Sequence, residues 1–171
     1  MEKREKWVDK KFAFQHSQDE YDKILNRLLS SPDRIYKLVS TLPEEILIKK
    51  LDAKWSIKEN VGHLIDLEEL HDGRIEDFID GKKTLRSADL KNIKTEEADH
   101  NSKNISELLT QLKNVRENFV ERLKLLDEKV LANSSIHPRL NQPMRPIDMA
   151  QFVLEHDKHH IQTIKDLISN T

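Results

Sequence analysis

The 171-residue sequence predicts an all-α fold, a four-helix bundle with long crossover loops. Glycine and proline are scarce, with 3 Gly and 5 Pro, which disfavours a turn-rich β-sandwich. Apolar residues recur at helical spacing in four segments, and no segment shows a convincing strand pattern. We expect a single domain over residues 1–171, in which residues 1–15 form an N-terminal arm with Trp7 and Phe12 as its candidate docking points.

The first of the four segments is interrupted by a proline. Helical spacing runs through residues 17–30 and continues over residues 35–42. Ser31 suits an N-cap and Pro32 suits the first helical position. Either Pro32 kinks one long helix or it divides the segment into two helices.

The second segment begins and ends at clear signals. Ser56 and Glu59 form a capping box, in which the hydroxyl accepts from the third backbone N–H and the carboxylate reaches back. The helix is expected to run to about residue 80 and to end at Gly81, because glycine readily adopts the left-handed conformation after a helix.

The third and fourth segments are separated by a proline-containing loop. Asn104 and Glu107 provide a box-like start for a helix whose apolar stripe continues to Leu126. Pro146 suits the first position of a last helix that runs to about residue 169. The connections over residues 82–103 and 129–145 are long enough to cross along the bundle or to close over a site.

The composition excludes several classes of function. A net charge of −2 gives no sign of a nucleic-acid binder, and no apolar run is long enough to span a membrane. The beginning of the sequence lacks the apolar stretch of a secretory signal, so we expect a cytoplasmic protein. The absence of Cys excludes disulfides, thiolate metal ligands and a cysteine nucleophile from the chain. Three glycines cannot make a Walker loop or a dinucleotide-binding turn.

Two histidines lie four residues apart in the predicted last helix, and a third lies in the second. His156 and His160 share one face of their helix and can aim both imidazoles at one point. His63 lies on the inner face of its helix next to Gly62, a residue that costs about 1 kcal/mol relative to Ala inside a helix. Together the three histidines predict a three-nitrogen metal site with an open position, the pattern of catalytic sites. The alternative is three core histidines that bind no metal.

Several polar and aromatic residues near these histidines are weaker candidates. Asn60 and Asp66 lie one turn to either side of His63, and we expect them to hold or tune a ligand imidazole; alternatively they are solvated helix residues. Trp55 is expected to pack in the core where the second helix begins.

The remaining histidines are not predicted to bind the metal. His16, His71 and His137 are expected on the surface or in loops. His159 is expected to be exposed; alternatively it supports one of the adjacent metal ligands.

Four stretches, taken in order, resemble a known family. They are residues 55–66 (WSIKENVGHLID), residues 87–101, residues 137–145 and residues 155–160 (EHDKHH). With the interval of 93 residues between His63 and His156, this set resembles the DinB-like superfamily over about residues 20–168. Within that superfamily it is most similar to the YfiT branch, which includes bacillithiol transferases.

The resemblance implies a four-helix bundle, often dimeric, that holds one divalent metal, zinc or nickel, through three histidines. The ligands map to His63, His156 and His160. His100 and Asn101 match the branch in the long crossover, which implies a role on the substrate side.

Three functions remain open at this point. The first is a metal-dependent enzyme that transfers a low-molecular-weight, bacillithiol-like thiol to an electrophile through a metal-activated thiolate. The second is a metal-dependent hydrolase of a small amide or ester that uses metal-bound water. The third is a non-catalytic helical module stabilised by a metal. The expected partners are a small-molecule thiol, an electrophilic substrate and a second copy of the chain in a homodimer.

Overall fold

The computed structural model describes residues 6–52 and 54–170, and these residues form eight α-helices and one small hairpin. The elements are α1 (Tyr21–Leu29), α2 (Ser31–Val39), α3 (Glu44–Leu47), α4 (Ile57–Ile79), α5 (Ile93–Glu97), α6 (Ile105–Lys124), α7 (Glu128–Leu131), β1 (Ser135–His137), β2 (Gln142–Met144) and α8 (Pro146–Ser169). Short 3-10 turns lie at Trp7–Asp9, Gln18–Glu20 and His100–Ser102. Among the helices of these residues, none is long and apolar enough to cross a membrane.

The four-helix bundle predicted from the sequence is confirmed. Its four members are the α1–α2 pair, α4, α6 and α8, with α4 packed on α6 and α8, and α1 packed on α6 and α8. Ser30 alone separates α1 from α2 and keeps right-handed helical angles, so the segment is divided into two helices with only a short break. The α2 helix begins at Ser31, one residue before Pro32, so Ser30 and not the predicted Ser31 is its N-cap.

Helix ends follow the capping signals closely. The Ser56 side chain accepts from the backbone N–H of Glu59, and the reciprocal bond of the capping box is present. Gly81, at φ +63°, follows the end of α4 in the left-handed conformation. The α6 helix ends at Lys124, slightly before the end of the apolar stripe.

The bundle has two apolar clusters with a polar layer between them. One cluster joins α1 to the C-terminal halves of α4 and α6 and the N-terminal half of α8, and the other joins α2 to the opposite halves. Between the clusters, Arg116 donates two hydrogen bonds to Asp157, at 2.7 and 3.0 Å, and its Nη2 lies 2.8 Å from Glu68 Oε1. All three side chains are buried, so this ion network holds α4, α6 and α8 in one register.

The expectation that no strand would form is wrong for residues 135–144. β1 and β2 pair antiparallel, and Ile136 exchanges backbone hydrogen bonds with the crossover at Lys83 and Leu85. Strands of three residues are too short to show an alternating hydrophobic pattern in the sequence. Pro143 also argues against a strand, because proline has no N–H to donate to the partner strand.

The N-terminal arm packs on the bundle where the structure describes it, from residue 6 onward; residues 1–5 of the predicted arm lie outside the described residues. Trp7 and Phe12 both pack against the cluster formed by α1 and the first half of α8. Their rings contact Phe152 at centroid distances of 5.1 and 5.0 Å. The arm therefore lies along α8, next to His156.

Candidate metal centre

Three buried histidines converge between α4 and α8. His63, His156 and His160 each offer a ring nitrogen, and these three atoms lie within 4.8 Å of one another. The Nε2 atoms of His156 and His160 are 3.1 Å apart, as expected for imidazoles on consecutive turns of one helix face. In the part of the chain that the structure describes, this is the one group of three or more His, Asp or Glu side chains arranged to hold a metal ion.

Asn60 orients the ring of His160. Its amide nitrogen donates to the backbone carbonyls of Ser56 and Trp55, at 2.8 and 3.2 Å, which leaves Oδ1 as the acceptor for the Nδ1–H of His160 at 2.8 Å. This bond places the proton of His160 on Nδ1 and therefore leaves a lone pair on Nε2. Asn60, which lies one turn before His63 on α4, therefore holds the imidazole of His160 on α8.

Asp66 reaches His63 through a threonine. Thr95 Oγ1 donates to Asp66 Oδ2 at 2.9 Å and lies 3.1 Å from His63 Nδ1, so it accepts the Nδ1–H of that ring. Asp66 Oδ2 also accepts from His100 Nε2 at 2.8 Å. Burial acts to raise the pKa of Asp66, but the bonds from His100 and Thr95 outweigh it and lower that pKa.

Gly62 makes room for His100. A Cβ at Gly62 would lie 2.2 Å from His100 Cγ, so the imidazole packs directly on the backbone of α4. The group that approaches the backbone of α4 here is the crossover histidine, which accounts for a glycine that helix propensity disfavours. His100 is buried and bound to Asp66, which places it behind His63.

Burial keeps two of the converging imidazoles, those of His63 and His156, neutral. It lowers the pKa of His63 to about 4, and burial with the neighbouring His160 and His63 rings lowers the pKa of His156 well below its usual range. Neutral rings have lone pairs available for a metal. Among the described residues, His156 Nδ1 is buried and has no hydrogen-bond partner, whereas Nε2 of that ring lies 3.1 Å from His160 Nε2. The donor set therefore fits a divalent transition metal.

The three histidines line a cavity of about 1140 Å³. Trp55 forms one wall, with its ring centroid 4.5 Å from that of His63, and its Nε1 donates to Glu96. Trp7 forms another wall, 4.9 Å from the His156 ring. Trp55 is half-buried in this wall, so the expectation that it packs in the core is wrong. A smaller cavity of about 260 Å³ on the Asp66 side is also lined by His63.

Three of the other histidines, His71, His137 and His159, differ from their sequence interpretation. His71 and His137 are 3% and 2% exposed, so the surface expectation is wrong for both. His71 packs on Phe119 beside Glu68, and His137 lies in β1 against Phe152; both line the large cavity. His159 is half-buried on the cavity wall, and the partly exposed His16 pairs with Glu20.

Thr95 is the contact that sequence reasoning missed. It lies in the α5 helix of a polar crossover that has no hydrophobic period, and no sequence signal marks it. Only the folded crossover brings it to His63.

In this bundle, histidines from α4 and α8 meet at one cavity. Comparison of the sequence with known families identifies the class of helical proteins to which such a bundle belongs. The chain belongs to the DinB superfamily, whose family model matches residues 27–164. The family resemblance seen in the sequence is thereby confirmed.

The fold is also that of a solved structure, YfiT from Bacillus subtilis, described as a probable metal-dependent hydrolase with an unusual four-helix bundle topology. The TM-score is 0.81 at 20% sequence identity, over 94% of this chain and 93% of that chain. No curated protein sequence matches this chain significantly.

Proposed function

We propose that this protein is a metal-dependent enzyme whose single divalent ion, zinc or nickel, is held by His63, His156 and His160. The observation that carries the proposal is that three buried imidazole nitrogens converge. At the same time, the Nδ1 atoms of His160 and His63 are hydrogen-bonded to Asn60 and Thr95. Histidines that bind metal need such partners, because the partner selects the tautomer and fixes the ring. Ordinary core packing does not require the lone pairs to face one another.

The chemistry of such a site follows from its neutral ligands. Three imidazoles leave a bound ion its full charge, which lowers the pKa of a coordinated water to about 7 and deprotonates a coordinated thiol. The residues of this chain supply the remaining conditions. Asn60 and Thr95 orient the rings, Trp7 and Trp55 form apolar walls, and Asp66 acts on His63 through Thr95 as a positioning residue.

The reaction proposed first is transfer of a low-molecular-weight thiol to an electrophile. The chain has no Cys, so the attacking sulfur comes from a cosubstrate. The cavity exceeds the size typical for one drug-sized ligand, roughly 300–1,000 Å³, and therefore has room for a thiol and an electrophile together.

Hydrolysis of a small amide or ester is the second candidate. It is favoured by the description of the structural relative YfiT as a probable metal-dependent hydrolase. The same cavity and the same three histidines serve this reaction, in which water replaces the thiol.

An activity assay separates these candidates. Metal-loaded protein is incubated with a chromogenic electrophile, with and without several low-molecular-weight thiols, beside His63→Ala and the distant control His16→Ala. Thiol-dependent turnover that is lost in His63→Ala and kept in His16→Ala supports transfer, and turnover without thiol supports hydrolysis. No turnover, combined with a large loss of melting temperature on chelation, would instead favour a non-catalytic module stabilised by a metal.

Two further predictions belong to this proposal. A homodimer is expected and is checked by light scattering during size-exclusion chromatography. A cytoplasmic location is expected and is checked by cell fractionation.

A further inference from the structure

The large cavity has a second, cationic end away from the three histidines. Arg74 lies three turns after His63 on α4, about 16 Å further along the helix axis. Arg139 and His137 reach the same cavity from the hairpin. The Arg139 guanidinium stacks over Trp7 at 5.8 Å, and the same indole contacts His156, so one aromatic side chain joins the two ends.

One of the two arginines at this end has a buried donor without an acceptor. Arg139 donates through Nη1 to the carbonyl of Val8 at 2.8 Å, but its Nη2 is buried and has no hydrogen-bond partner among the described residues. Arg74 is buried and donates through Nε and Nη2 to the backbone carbonyl of Arg86, both at 3.1 Å.

His137 adds a second unmatched donor. Its Nδ1 accepts from the backbone N–H of Leu140 at 3.2 Å, which places the ring proton on Nε2. That Nε2 is buried, and no described residue accepts a hydrogen bond from it. Burial, together with the charges of Arg74 and Arg139, lowers the pKa of His137 to about 3, so the ring is a neutral donor at physiological pH.

No carboxylate among the described residues forms an ion pair with Arg74 or Arg139. The nearby Asp77 is taken by Arg86 and Lys82, at 2.9 Å each. Burial lowers the pKa of Arg74 to about 10, so it remains a cation at neutral pH. A buried cation or a buried donor without an acceptor lowers the stability of the folded protein. An anionic ligand would supply the missing partner, so such groups indicate a binding site.

We propose that Arg74, His137 and Arg139 form an anion subsite that binds a carboxylate or phosphate group of the substrate. The inference deepens the proposed function, on which it rests: the substrate, or its thiol partner, has its reacting group at the histidines and an anionic group at the arginines. Guanidinium groups suit this task because they donate paired hydrogen bonds to carboxylate and phosphate oxygens.

The subsite is tested by calorimetric titration of zinc-loaded protein with matched thiols. The probes are 8-mercaptooctanoate, the uncharged 8-mercaptooctanol and 8-mercaptooctylphosphonate. We expect the better of the two anionic probes to bind about tenfold or more tightly than the alcohol, since hydrogen bonds to charged groups are the strong ones. The ranking of the carboxylate and the phosphonate identifies which anion the subsite takes.

Variants assign the difference to the subsite. Arg139→Met should abolish most of the preference for the anionic probes, Arg139→Lys should retain part of it, and the exposed control Arg34→Met should leave it unchanged. Equal binding of the acid, the phosphonate and the alcohol to the wild type would overturn the inference without any variant. Equal losses for charged and uncharged probes in Arg139→Met would also overturn it.

The same titrations distinguish failure of the proposed metal site from failure of the anion subsite. Binding of 8-mercaptooctanol to zinc-loaded protein, and its loss in His63→Ala, reports only on the metal. The same probes titrated into chelator-treated protein report only on the anion subsite. A preference for the anionic probes that persists there and is lost in Arg139→Met supports the subsite even if no metal binds.

Discussion

Replacement of Gly62 by alanine should destabilise the protein although alanine is the better helix former. The three heavy atoms nearest to the added Cβ all belong to the His100 ring, at 2.2, 2.3 and 2.4 Å. The ring has to move by more than an ångström and loses its 2.8 Å bond to Asp66. Overpacking costs about 1–3 kcal/mol and the hydrogen bond to a carboxylate about 1.5–3 kcal/mol, against a gain of about 1 kcal/mol in helix propensity. These terms give a net loss of about 1.5–5 kcal/mol in the free energy of unfolding, measured by urea denaturation.

A double-mutant cycle makes this prediction specific. In a His100→Ala background the obstructing ring is absent, so Gly62→Ala should become neutral or stabilise by up to about 1 kcal/mol. The coupling between the two positions should therefore be at least about 1.5 kcal/mol. If Gly62→Ala has the same effect in both backgrounds, the close packing of His100 on α4 is not the reason for the glycine.

Three further predictions concern other contacts of the bundle. Asn60→Ala leaves the Nδ1–H of His160 without its acceptor and should weaken zinc affinity by about 10–100-fold in a chelator competition assay; unchanged affinity would contradict the orienting role. Arg116→Met leaves two buried carboxylates unpaired and should cost about 3–5 kcal/mol in urea denaturation, whereas the surface control Arg122→Met should cost less than about 1 kcal/mol. In metal-free protein the folded pKa of His63, about 4, lies below the unfolded value near 6.5. The unfolded chain then binds more protons between these values, so this ring alone should account for about 3 kcal/mol of the stability lost on acidification from pH 6.5 to 4. The loss should be smaller by about that amount in His63→Gln, and an equal loss in that variant would show that this ring is not a cause.

The parts of the fold predictable from the sequence are those determined by local chemistry. Ser56, Gly81 and Pro146 mark helix ends because capping and backbone preferences act within a few residues, and the structure has helix ends at each of them. The facing positions of His156 and His160 follow equally from the helical repeat.

Contacts made across the bundle were beyond sequence reasoning. Thr95 meets His63 only because a polar crossover folds back on α4, and His137 is buried only because a short hairpin packs against α8. The buried Arg116 looks like any charged residue of an amphipathic helix, since its partners lie on two other helices. Gly62 was an anomaly of helix propensity, and the residue that fills its space lies 38 positions further along the chain.

The central claim, that three histidines from two helices hold one metal ion, is tested most directly by elemental analysis. Wild-type protein, His63→Ala, His156→Ala and the control His16→Ala are purified in parallel, incubated with zinc or nickel and freed of unbound metal. We expect about one equivalent of metal per chain in the wild type and in His16→Ala, and a loss of that metal in the other two variants. Wild-type protein without metal, or variants that retain it, would contradict the account.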